Sequence, residues 1–298
     1  MKLKIAKLLL TTLGIALFLF FLQKSKILET GFSIIFSFNE VLFSVFFMAL
    51  IPLVRAYRWM LLSNVVLSRS IKFKDSYLET GASFFVSIFT PAKVGDLSRV
   101  FLLKNRRTSL FLVVIYELWC DFCCLIVLSS GVILLFVEVD GYKSWLISFL
   151  VFIVIIPPVL AILLKIILPE NGLFLSFYKI LDGIGENLII FHLKMISVSM
   201  FVGIFLVCSC YSLTYAKIEN FGFFNLLSCV NFGQLLGVIT FVPMGIGVRE
   251  LSSLQIVRML GFDTLIWSQI ILILRCINMV NILAAFLCYL VVLKRYKM

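Results

Sequence analysis

The chain has 298 residues, of which 62% are hydrophobic and only 14% charged, with 31 phenylalanines and a net charge of +11. Soluble domains carry roughly a quarter charged residues; a chain this apolar cannot hide its surface in one core, so a soluble globular protein is excluded and lipid is the solvent. The basic excess does not point to nucleic acid. Lys and Arg cluster at the ends of apolar runs, where they mark cytoplasmic loops and meet anionic headgroups.

Residues 1–22 open with Lys2, Lys4 and Lys7 ahead of an apolar run. No small-residue cleavage motif follows, so a retained first span is expected rather than a cleaved signal. About twenty apolar residues cross the hydrocarbon as a helix. Six stretches qualify as full spans: 8–22, 32–54, 109–137, 144–164, 195–216 and 264–293. Two more apolar regions, 77–103 and 221–260, are interrupted by Pro, Gly and charge. The fold class is therefore all-α, a polytopic helical membrane protein of about six full spans plus two broken or re-entrant hairpins.

The second stretch closes on Arg55, Tyr57, Arg58 and Trp59, the pattern of an interfacial anchor, with headgroup capture by Arg55 or Arg58 as the alternative. If both interrupted regions return to the side they start from, most of the 26 basic residues share one side with the two termini. The positive-inside rule then puts both termini in the cytoplasm of the cell inner membrane. On that topology the first hairpin opens from the cytoplasm and the second from the outer face.

The first break reads Thr90-Pro91-Ala92-Lys93-Val94-Gly95-Asp96-Leu97-Ser98-Arg99, the second Val242-Pro243-Met244-Gly245-Ile246-Gly247-Val248-Arg249-Glu250. Both run Pro, Gly, then charges of opposite sign. They lie roughly half the chain apart, as two related halves of an inverted repeat would place them, with 1–140 and 141–298 as the halves. Pro removes a backbone donor and Gly permits strained backbone. Such backbone is tolerated at membrane depth only where protein buries it or water fills a cavity beside it. Paired interruptions are the best sequence pointer to a transporter's central site. Arg99 and Arg249 suit bidentate phosphate contacts there; ordinary interfacial loops are the plainer alternative.

Glu117 and Asp121 share one helix face by their spacing of four. A charge at the centre of a span costs roughly 2.5–3.5 kcal/mol on insertion scales. The pair is therefore expected to face the bundle interior against a cation, with Arg275, Arg99 and Lys93 as candidates. A proton or cation relay and a structural ion pair are both open. His192, beside Lys194, reads as a solvated residue. The eight cysteines all lie in apolar stretches and read as small hydrophobes. Cys120-x-x-Cys123 lacks a second pair, so neither a metal nor a cofactor is expected.

The expected headgroup-binding cations are thus Arg55, Arg58, Lys93, Arg99 and Arg249. Asp96, Glu117, Asp121, Glu250 and Arg275 are expected along a translocation path or in ion pairs, and Pro91, Gly95, Pro243, Gly245 and Gly247 at the backbone breaks.

In order along the chain, Arg55-x-x-Arg58-Trp59, Gly81, Thr90-Pro91-x-x-x-Gly95-Asp96-x-x-Arg99, Glu117-x-x-x-Asp121 and Pro243-x-Gly245-x-Gly247-x-Arg249-Glu250 resemble the flippase-like transmembrane domain of bacterial lysylphosphatidylglycerol synthases and its stand-alone relatives. The resemblance implies a membrane domain that moves lipids between leaflets, with the breaks near the lipid path. Family members often carry Glu where this chain has Asp96. No room follows Lys294 for a soluble aminoacyl-transfer domain, so a stand-alone member without lysyl transfer is expected. Its cargo is an anionic, aminoacylated or polyprenyl-linked lipid, since stand-alone relatives often accompany envelope glycosyltransferases. The expected partners are membrane lipids, phospholipid or polyprenyl-linked, and those glycosyltransferases. An enzyme is not expected; the alternatives are a membrane-embedded glycosyltransferase or a non-transporting partner of one.

Overall fold

A computed structural model describes residues 2–24, 36–66, 70–102, 107–136, 188–215, 217–218, 221–240 and 242–296. The regular elements among them are all helical. In chain order they are α1 Lys2–Lys24, α2 Phe38–Val66, α3 Phe73–Ile88, α4 Ser98–Leu102, α5 Arg107–Phe136, α6 Leu188–Thr214, α7 Phe223–Ile239, α8 Val248–Met259 and α9 Thr264–Tyr296. Short 3₁₀ turns over Pro91–Leu97 and Pro243–Gly245 separate α3 from α4 and α7 from α8.

Four stretches among the described residues are long and apolar enough to cross a membrane: Phe38–Val65, Leu110–Ser130, Ile189–Thr214 and Thr264–Arg295. They match four of the expected spans. The stretch 8–22 falls within α1, while 144–164 and the expected boundary at 140/141 lie outside the described residues. Outward faces stay apolar, with Phe224 at 79% and Phe38 at 78% exposure. Lipid tolerates such a surface and water does not.

Two expected boundaries move. α2 runs on through Arg55–Trp59 to Val66, and α6 begins at Leu188, ahead of His192 and Lys194. Hydropathy falls at both places, but the helices continue because Arg58 and His192 find partners inside the bundle. Pro52 sits within α2 and cannot donate to the carbonyl one turn back. That carbonyl, Met48 O, instead accepts from Asn281 Nδ2 of α9 at 3.1 Å. The defect in one helix thus becomes a tie to another.

The interrupted regions are hairpins. α3 has 16 residues and α7 has 17, which is about 24–26 Å of helix against a hydrocarbon core of about 30 Å. Beyond α3 the 3₁₀ turn and α4 fold back on it, and beyond α7 so does α8. α9 fixes their directions. Near its C-terminus Arg295 Nη1 donates to Asp75 Oδ1 at 2.6 Å, at the start of α3. Near its N-terminus the Trp267 ring lies 5.6 Å from that of Phe221, just ahead of α7. The hairpins therefore start from opposite ends of a 33-residue helix, and their 3₁₀ turns meet between them. The expected opposition is observed.

Two glycines make the turns compact. A Cβ at Gly95 would fall 2.4 Å from Ser87 N, so only glycine lets the first turn lie on α3. Gly247 has φ +82°, and a Cβ there would fall 2.5 Å from Leu17 Cβ, so α1 lies directly on the second break. Around the breaks, one apolar cluster gathers Phe21, Leu226 and Trp267, and another gathers Trp59, Leu110 and Met195.

Candidate functional site

Glu117 and Asp121 project from α5 toward α2 and α6. Arg58 of α2 fits between them: Nε and Nη2 donate to Glu117 Oε1 at 3.0 and 2.7 Å, and Nη1 donates to Asp121 and to Ser199 of α6. Arg99 arrives from the other direction, because the break at Pro91 turns α4 back toward α5. Its Nη1 lies 2.8 Å from Glu117 Oε2, and its guanidinium sits 4.6 Å from the Trp59 ring centroid. Arg58, Arg99 and Glu117 are each only 2% exposed. Asp96 completes the group, accepting from Ser87 Oγ at 2.9 Å with Arg99 Nη2 4.0 Å away. One shared carboxylate therefore joins the first hairpin to α2.

The second group is built on the other hairpin. Glu250, in the first turn of α8, accepts from Arg275 Nε of α9 at 2.6 Å through Oε1. Its Oε2 accepts from the Gly247 N–H at 2.7 Å, which caps α8. Arg249 beside it runs through a glycine cradle, where a Cβ on Gly237 or Gly245 would fall 2.6 Å from its side chain.

Between the two groups lies a cavity of about 250 Å³. Its charged lining is Arg55, Arg249, Arg275, Asp96, Asp121 and Glu250, set among apolar residues such as Met48, Phe84 and Leu128. The Arg55 guanidinium stands 5.6 Å from the Phe84 ring centroid. Among the described residues the side chains of Arg55 and Arg249 have no hydrogen-bond or ion-pair partner, and the Nε of each is buried. Such a space can hold an anionic headgroup against its cations.

Several expectations need correction. Arg58 and Trp59 are not interfacial: every guanidinium nitrogen of Arg58 is engaged, and Trp59 is fully buried. Arg58 and Arg99 stand behind the cavity rather than lining it. Arg275 pairs with Glu250, not with Glu117 or Asp121. The main partner of those two is Arg58, 59 residues before Glu117 and absent from the expected candidates. His192 is 2% exposed and bonded to the Tyr116 hydroxyl at 2.7 Å, so it is not solvated. The Lys93 side chain lies outside the described residues. All eight cysteines are free and most are buried, as small hydrophobes would be.

Sequence reasoning also missed Glu79, which accepts from Trp59 Nε1 at 2.8 Å and is 5% exposed. The signal was present, since Glu79 is a carboxylate in an apolar run just as Glu117 is. Ser199, which meets Arg58, and Asn231, which lines the cavity, by contrast carry no mark that separates them from other small polar residues on apolar helices.

Opposed broken hairpins meeting at a charged internal cavity define a polytopic helical membrane protein with a central site. The chain belongs to the family of the lysylphosphatidylglycerol synthase TM region, whose model matches residues 4–292. No curated protein and no solved structure gives a significant match. Membership of that family suggests a membrane-lipid-related role.

Proposed function

We propose that this protein is a lipid flippase-like transporter, moving an anionic, aminoacylated or polyprenyl-linked lipid between leaflets for envelope synthesis. One observation carries the reading: the two hairpins start from opposite ends of α9 and their breaks meet at one cavity with cations and apolar walls. A lipid crossing the bilayer must keep its headgroup out of hydrocarbon while its chains stay in it. A cavity reached by breaks from both directions offers that path, and Arg55 and Arg249 are the cations placed to meet the headgroup.

The role is that of a carrier rather than an enzyme. Its partners are membrane lipids and an envelope glycosyltransferase that makes or uses the headgroup. It sits in the cell inner membrane with both termini cytoplasmic. The test is reconstitution into vesicles holding fluorescent anionic, aminoacylated and polyprenyl-linked lipids, with dithionite added outside. Protein-dependent bleaching of inner-leaflet probe is expected for one of these classes, slowed about tenfold or more by Arg249→Ala through loss of a charge-assisted contact. Bleaching no faster than in protein-free vesicles, for every class, refutes the reading.

A further inference from the structure

We infer that Arg55 and Arg249 form a subsite for a doubly charged phosphate headgroup, a diphosphate or phosphomonoester, in preference to a singly charged phosphodiester. The inference rests on the proposed lipid-carrying role and names the headgroup class its cavity takes.

Arg55, Arg249 and Arg275 line the cavity together with Asp96, Asp121 and Glu250, yet the carboxylates are engaged by other groups. Both Glu250 oxygens are already taken, one by Arg275 and the other by the Gly247 N–H. Asp121 is held by Arg58, and Asp96 by Ser87 with Arg99 beside it. None of these carboxylates forms an ion pair or hydrogen bond with the Arg249 guanidinium; Glu250 attracts it, but the repulsion from Arg275 is larger and Arg55 adds to it. Two cations are thus held near one another, at a cost that a bound anion removes.

Arg249 has no retreat. Its side chain lies directly against Gly237 and Gly245, with no space on that side. Arg55 is held over Phe84. A phosphodiester, carrying one negative charge, leaves one guanidinium uncompensated. A diphosphate or phosphomonoester carries two and offers enough oxygens for two bidentate forks. The volume of about 250 Å³ is below the roughly 300–1,000 Å³ of drug-sized pockets, so it suits a headgroup rather than a lipid with its chains.

The test is isothermal titration of the purified full chain in micelles with geranylgeranyl diphosphate, geranylgeranyl monophosphate, short-chain phosphatidylglycerol and inorganic pyrophosphate. Both prenyl phosphates are expected to bind about tenfold or more tightly than phosphatidylglycerol, as expected for one additional charge-assisted contact. Arg55→Gln and Arg249→Gln are each expected to abolish that preference. The ligand-free variants should melt at or above the parent, because each loses an uncompensated charge. Equal or tighter binding of phosphatidylglycerol overturns the inference. So does a variant that melts lower yet keeps the preference, which marks its arginine as structural; if Arg249→Gln does not fold, Arg55→Gln decides. Pyrophosphate binding as tightly as the prenyl diphosphate supports the dianion subsite and overturns the lipid-carrying role. Pyrophosphate binding more weakly supports both. An intact preference without bleaching of any probe in the vesicle assay overturns transport alone.

Discussion

Replacing Glu117 by Gln preserves the shape of the side chain and removes the charge that two guanidiniums share. Removing one partner of a buried ion pair typically costs about 3–5 kcal/mol. Arg58 would keep Asp121 and Ser199, so most of the cost falls on Arg99. Arg99 would keep the Trp59 ring and Asp96, whose oxygen is 4.0 Å away. The loss should therefore sit near the lower end of that range, about 3 kcal/mol. Arg99→Gln should cost less, because Glu117 retains both of its bonds from Arg58. The double variant removes both charges together, and its cost should fall short of the sum by about 1–3 kcal/mol. Unfolding of purified protein in mixed micelles titrated with dodecyl sulfate gives the three values. Additivity within about 0.5 kcal/mol would show that the two residues are not coupled and would refute the shared-carboxylate account.

Gly95→Ala should cost about 1–3 kcal/mol by overpacking, since the new Cβ meets the backbone of α3, which cannot yield. Gly222→Ala, with nothing within 4 Å, should stay within about 0.5 kcal/mol; equal melting of the two variants would deny the close contact. Trp59→Phe leaves the buried Glu79 carboxylate without its indole donor and should cost about 1–3 kcal/mol, part of it recovered by adding Glu79→Gln. No recovery in the double variant would mean that this hydrogen bond is not what Trp59 contributes. In a cysteine-free background, Lys74→Cys and Lys294→Cys should react with an impermeant maleimide only after permeabilisation, and Asp263→Cys in intact cells. Labelling of all three from one side would contradict hairpins that start from opposite ends of α9.

The breaks were legible in the sequence because Pro and Gly act on their own stretch of backbone. Pro91 and Pro243 each sit at the start of a 3₁₀ turn, and Gly95 and Gly247 are where chains touch. The shared face of Glu117 and Asp121 was legible for the same reason, since a spacing of four is a property of one helix. The opposition of the hairpins followed from loop charge and is met by the contacts at the two ends of α9. Arg58 was misplaced because a window of residues registers the drop in hydropathy and cannot register a carboxylate 59 residues away. His192 was misplaced in the same way, its partner Tyr116 lying 76 residues back.

Sequence by itself determined that the chain lives in lipid, that it is helical, where the helices break and which segments carry costly charges, because each of these depends on composition or on neighbours within one turn. Only the tertiary structure decided which charges are spent on one another. Arg58, Arg99 and Arg275 are paired, while the side chains of Arg55 and Arg249 face the cavity without a hydrogen-bond or ion-pair partner among the described residues. The difference lies in which helices pack together. Compensation of a buried charge falls off over a few ångströms of space, a distance that separation along the chain does not measure.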